Sequence, residues 1–139
     1  MNLKIIFLLF FLFLVSCKKT IQESDIPYLA GYWEIEKVIL PDGEEKVYKS
    51  NETIDHFILN GKSGFRKKGL QQFNGTFLTN NITETFTIQW INNSCKLHYK
   101  TKFSKWEEEI IRLSEEKLVV KNNNDLEYHY KRPTLFTKK

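Results

Sequence analysis

Cysteine is scarce in this chain: its 139 residues hold two, Cys17 and Cys95. With Cys17 committed elsewhere, as argued next, Cys95 has no partner for an internal disulfide, so the fold must be held by its core rather than by the bridges on which many exported domains lean. The apolar run from Ile5 to Val15 falls short of the roughly 20 residues that cross a bilayer. There is no glycine-rich phosphate loop, and His56, His98 and His129 show neither HxH nor HExxH spacing, so no metal site and no cofactor are expected. Charge of one sign is not in excess either. The 21 basic residues face 17 acidic ones, a balance that argues against nucleic acid as a partner.

What is present begins at the amino terminus. Met1 to Ser16 carries one cation, Lys4, ahead of the apolar run, the pattern of an export signal. It ends Leu14-Val15-Ser16-Cys17, which resembles the lipobox of bacterial lipoproteins. That resemblance implies cleavage after Ser16 and lipid on Cys17, whose thiolate is a strong nucleophile near neutral pH. More than one acyl chain on the cysteine gives stable anchoring where a single chain is marginal. By the sorting rules such anchors resemble, Lys18 after the cysteine implies the outer membrane, facing the periplasm. The expected divisions are a signal at 1–16, a lipidated cysteine and polar tether at 17–27, and one folded domain at 28–139.

From Tyr28 the pattern turns to period two. Phe86, Ile88 and Trp90 alternate with Thr85, Thr87 and Gln89, and Cys95, Leu97 and Tyr99 alternate with Lys96, His98 and Lys100. These read as half-buried strands. Turn signals such as Pro41-Asp42-Gly43, Asn60-Gly61, Lys68-Gly69, Asn80-Asn81, Asn92-Asn93 and Asn122 to Asp125 separate them. The spacing predicts strands at 31–40, 44–49, 53–59, 62–67, 70–79, 82–91, 95–103, 106–113, 117–121 and 126–132. Of these, 106–113 also suits a helix, because it carries three glutamates. The expected fold is all-β, an antiparallel up-and-down meander of about 8 to 10 strands closed into a barrel to remove its edges.

Gly31-Tyr32-Trp33 at the head of the first strand, with Arg132 at the end of the last, resembles the opening and closing elements of lipocalins, and more closely the short lipocalin-like domains of bacterial lipoproteins. The resemblance implies a lipocalin-like barrel in which Arg132 packs over Trp33 as a plug at the closed end. Gly31 suits a tight entry into the strand, and the indole supplies the bulk of such a plug.

Catalytic residues are not expected. Glu44-Glu45, Glu107-Glu108-Glu109 and Glu115-Glu116 cannot flank one bond as neighbours, since adjacent strand residues point to opposite faces. Cys95 shares its face with Leu97 and Tyr99, as a buried thiol does. A small apolar or amphipathic ligand in the mouth is the first functional expectation, with Phe86, Ile88, Tyr99 and Tyr128 as its lining. An envelope interaction module with a filled barrel is the alternative. The hairpin cations Arg66, Lys67 and Lys68 read as solvated and available to anionic lipid or polysaccharide. A hairpin turning at Ser104-Lys105 would pair Lys102 with Glu107 and Lys100 with Glu109, leaving Glu108 on the apolar face opposite Thr101.

Overall fold

The computed structural model describes residues 19–49 and 53–134; the signal and Cys17 lie outside the described residues. The strands are β1 (Gly31–Ile39), β2 (Glu45–Val47), β3 (Thr53–Asn60), β4 (Ser63–Gln71), β5 (Phe77–Thr79), β6 (Glu84–Ile91), β7 (Ser94–Lys100), β8 (Lys105–Leu113), β9 (Lys117–Asn122) and β10 (Glu127–Lys131). Eight of them run in the order β1-β3-β4-β6-β7-β8-β9-β10, and β10 returns to β1 in antiparallel pairing from Glu34↔Lys131 to Ile39↔Glu127. All the pairings are antiparallel, so the barrel is an up-and-down closure. The two short strands flare outward at one end: β2 takes over the edge of β1 that β3 leaves, and β5 the edge of β4 that β6 leaves.

Alternation does the expected work. Phe86 and Ile88 on β6, Cys95, Leu97 and Tyr99 on β7, and Leu118 and Val120 on β9 are all buried, while Thr85, Thr87 and Gln89 are exposed. Residues 106–113 are strand throughout, paired on both sides. Helix propensity in three glutamates is overridden by the cross-strand partners that β7 and β9 supply.

Three expectations are corrected. Lys68-Gly69 is not a turn. Strand β4 runs on through Gln71, and the reversal comes at Gly75, whose φ of +82° suits the left-handed conformation. Gly69 instead lets backbones approach, since a Cβ there would stand 3.2 Å from the Leu78 carbonyl oxygen. The stretch expected as a tether does not run free to Pro27. Glu23–Leu29 forms a 3-10 helix, and Ile21, Ile26 and Leu29 enter the core. Its start is closed by a capping box between Gln22 and Asp25. Finally, the β7–β8 hairpin turns over Thr101–Ser104 rather than at Ser104-Lys105, pairing Tyr99↔Trp106, His98↔Glu107 and Lys96↔Glu109. The Thr101 hydroxyl accepts from the backbone N–H groups of Phe103 (3.3 Å) and Ser104 (3.1 Å), which holds the wider loop. The Tyr99 and Trp106 rings stack at 5.1 Å, and Phe103 is left 90% exposed.

Candidate functional site

The two ends of the barrel are built differently. At the end where β1 begins, Trp33 is fully buried and its indole N–H donates to the Leu29 carbonyl at 2.9 Å. Arg132 lies over that indole, its guanidinium carbon 3.6 Å from a ring centroid. Its Nε donates to the Glu115 carbonyl at 2.8 Å, its Nη1 to those of Ala30 and Tyr32, and its Nη2 to that of Tyr28 at 2.8 Å. Gly31 takes φ +109°, and a Cβ there would meet Arg132 Nη1 at 3.1 Å. The structure therefore places Gly31, Trp33 and Arg132 in one cluster, with the 3-10 helix laid across it. Trp90 ties the chain further back, donating to the Ile21 carbonyl at 2.9 Å.

Of the residues expected to line a ligand lumen, three lie in the core and one at its margin. Phe86, Ile88 and Tyr99 are buried, and Phe86 meets Phe57 and Tyr99 at ring distances of 5.9 and 5.7 Å. Together with the Tyr99–Trp106 stack they form one continuous ladder of rings. Tyr128 is half-buried and packs against the same core, with its hydroxyl pKa raised chiefly by desolvation. A groove of about 830 Å³ does touch Phe86 and Tyr99, but its other walls are Phe65, Thr85, Thr87 and His98 on the outward side of β4, β6 and β7.

Above the aromatic ladder, inside the barrel, lies a group of charges. Arg66 is 6% exposed, far from the solvated position expected for it. Its Nε and Nη2 donate to the two oxygens of Glu84 at 3.2 and 3.0 Å, and its Nη1 is 3.6 Å from Glu108 Oε1. The guanidinium stands 4.5 Å from the Tyr99 ring centroid. Burial works against its charge, yet the acidic groups around it hold its pKa above the ordinary value. Asp55, 4% exposed, receives Lys68 Nζ at 2.8 Å while the Lys68 side chain stays 54% exposed, so of the hairpin cations Arg66 alone departs from the solvated position. Glu108 Oε2, Asp55 Oδ2 and the Tyr99 hydroxyl have no hydrogen-bond partner among the described residues. Desolvation raises the Glu108 pKa, with Arg66 opposing.

Glu108 carried a readable signal, because period two sets it between Trp106 and Ile110 on the apolar face. Arg66 did not, since its place in Arg66-Lys67-Lys68 mimics a solvated run. Cys95 is buried and its thiol is pushed up to about 11 by desolvation, which removes nucleophilic thiolate at neutral pH. Among the described residues no group of three or more His, Cys, Asp or Glu side chains is placed to hold a metal ion.

The decisive comparison is with protein families: the model for the lipocalin-like domain matches residues 29–120. The chain belongs to the lipocalin-like domain family. Two crystal structures are similar to it: a lipocalin-like protein from Bacteroides uniformis, 13% identical with a TM-score of 0.46, and an uncharacterized protein from Bacteroides eggerthii, 9% identical with a TM-score of 0.47. The likeness covers 76% and 74% of this chain and 98% of each of theirs. No curated protein matches. In this lipocalin-like domain the matched span contains Trp33, Arg66 and Glu108 but stops short of Arg132.

Proposed function

We propose that this lipocalin-like protein is a lipid-anchored binding module of the bacterial envelope, and not an enzyme. It takes the polar head of a small amphipathic ligand at the open end of its barrel. The anchor is Cys17, supported by the lipobox-like Leu14-Val15-Ser16-Cys17 directly after an apolar run. The membrane is the outer one, with the domain in the periplasm, as Lys18 in the sorting position suggests.

One observation carries the ligand reading: buried oxygens beside Arg66, on Glu108, Asp55 and Tyr99, that have no hydrogen-bond partner among the described residues. A buried polar group left unsatisfied costs about 1 to 3 kcal/mol, which a bound donor offsets. An ammonium or hydroxyl head fits this acceptor-rich surround better than a carboxylate, which Glu84, Glu108 and Asp55 repel. The packed ladder Phe57–Phe86–Tyr99 leaves the tail to the flared strands, where Val47, Leu70 and Leu78 are exposed.

The same ladder favours a second reading, an interaction module with a filled barrel and no small ligand. Titration with dodecylammonium and, separately, with dodecanoate distinguishes the two through fluorescence of Trp106 on its Tyr99 stack. Saturable change with the amine alone, lost in Glu108→Gln, is the expected result. Equal or absent response to both amphiphiles rejects the head-group site, and a mass spectrum of protein from its own envelope showing no bound small molecule favours the filled barrel.

A further inference from the structure

The path of the chain before β1 sets how the barrel stands on its membrane. From Ile21 onward the backbone is held to the plugged end: Ile21 and Ile26 are buried, the Ile21 carbonyl accepts from Trp90, and the 3-10 helix covers Trp33. Only Lys18, Lys19 and Thr20 separate Ile21 from Cys17. Four fully extended steps reach at most about 14 Å, less than the height of a barrel whose long strands have nine residues. Such strands rise about 3.3 Å per residue. A lipid on Cys17 therefore reaches the bilayer only if the plugged end is close to it.

We infer that the barrel stands with its plugged end on the anchoring membrane and its open end turned away. This rests on lipidation of Cys17, proposed above. The surface brought down is amphipathic, as an interfacial surface should be. Tyr28 and Ile91 are each 43% exposed there. A groove of about 550 Å³ beside them is lined by Ile26, Pro27, Ala30 and Leu59, with Lys62 and Glu23 at its rim. The exposed apolar side chains of the flared end, Val47, Leu70, Leu78 and Ile82, then face the compartment. They are not a second membrane anchor, and a ligand enters from the aqueous side or from a facing partner rather than from the leaflet that holds the protein.

The test uses the full lipidated protein in vesicles of phosphatidylethanolamine and phosphatidylglycerol that carry a nitroxide-headgroup lipid. A fluorophore is placed on Glu116→Cys, in the exposed β8–β9 turn of the plugged end, or on Phe103→Cys, at the opposite end. Buried Cys95 does not compete for the label. Flotation with the vesicles reports the anchor, and quenching reports the orientation. The expected result is flotation with several-fold stronger quenching at position 116 than at 103. A flexible Gly-Ser insert of about 20 residues after Lys18, spanning roughly 25 Å on average, should erase most of the contrast. Flotation with equal quenching, or stronger quenching at 103, overturns the orientation and leaves the anchor standing. Failure to float overturns the anchor, and the orientation with it.

Discussion

The plugged end and the open end of this barrel solve opposite problems with the same kind of side chain. Arg132 at the plugged end is half-buried, and its donors find four backbone carbonyls and an indole face. Arg66 inside the open half is buried among carboxylates, two of which keep an oxygen without a donor among the described residues. Neutral carbonyls ask little desolvation of a guanidinium that still touches water. Buried carboxylates bring their own desolvation cost, which their attraction repays only when every lone pair is met. The plugged end is thus finished as a structure, whereas the open end keeps polar capacity unused.

Breaking the plugged end should have the largest effect. Trp33→Ala removes a fully buried indole and should destabilise the domain by about 3 to 5 kcal/mol in chemical denaturation, as large-to-small core changes do. Arg132→Ala should cost about 1.5 to 3 kcal/mol, the range for hydrogen bonds to charged groups, and a double-mutant cycle with Trp33→Ala should show coupling. Additive losses would mean that the cation contributes nothing through the ring.

A comparable loss is expected at the open end, for a different reason. Arg66→Met leaves Glu84 and Glu108 without their cation, and removing one partner of a buried pair costs roughly 3 to 5 kcal/mol. Replacing Arg66, Glu84 and Glu108 together with apolar residues should recover much of that stability while abolishing amine binding. At the plugged end no substitution set should separate stability from function in this way. A triple variant as unstable as Arg66→Met would show that the charges hold the barrel together instead of serving a ligand.

These two ends were unequally legible in the sequence. Alternation identified the strands and the inward face of Glu108, because burial on one face leaves a period-two trace. It could not choose the β7–β8 register: moving the partners of Glu107 and Glu109 by four positions keeps every side chain on its face, whereas only an odd slip inverts it. The deciding contacts, the Thr101 hydroxyl and the Tyr99–Trp106 stack, are local geometry without a period. Arg66 was hidden because a guanidinium that meets its carboxylates across the lumen looks, in sequence, like any surface cation. The 3-10 helix was hidden because Ile21 and Ile26 are two apolar residues in a polar stretch, too few to set a period.

A smaller effect sharpens the comparison through pH. The pKa of Glu108 is raised in the folded state, chiefly by desolvation, so the folded protein holds this proton where the unfolded chain has released it. Its contribution is therefore most favourable below the ordinary carboxyl value of 4.5. It declines as pH climbs from there through the raised folded value. Glu108→Gln should flatten that fall in denaturant midpoint, measured against pH from acid toward neutrality. A wild-type midpoint that rises through this window with no change in Glu108→Gln would place the carboxylate in a better-solvated setting than its burial implies.

The smallest effect belongs to the outer wall, where neither end's constraints apply. Lys96 Nζ and Glu107 Oε1 are 3.1 Å apart, with both side chains less than a third exposed. Cross-strand pairs of opposite charge contribute roughly 0.2 to 1 kcal/mol, and on an outer wall that water still reaches the lower part of that range applies. Lys96→Glu sets a carboxylate beside Glu107 and directly opposite Glu109, so stability should fall by a few tenths of a kcal/mol. Adding Glu107→Lys should return most of it. The reversal of Lys102 with Glu107 should show no such rescue, because the Thr101–Ser104 loop carries Lys102 out of the ladder. Both effects should shrink in high salt, where surface charges are screened within a few ångströms. Rescue by Lys102 but not by Lys96 would mean that the hairpin turns at Ser104-Lys105, with Trp106 drawn off Tyr99 and the aromatic floor beneath Arg66 broken.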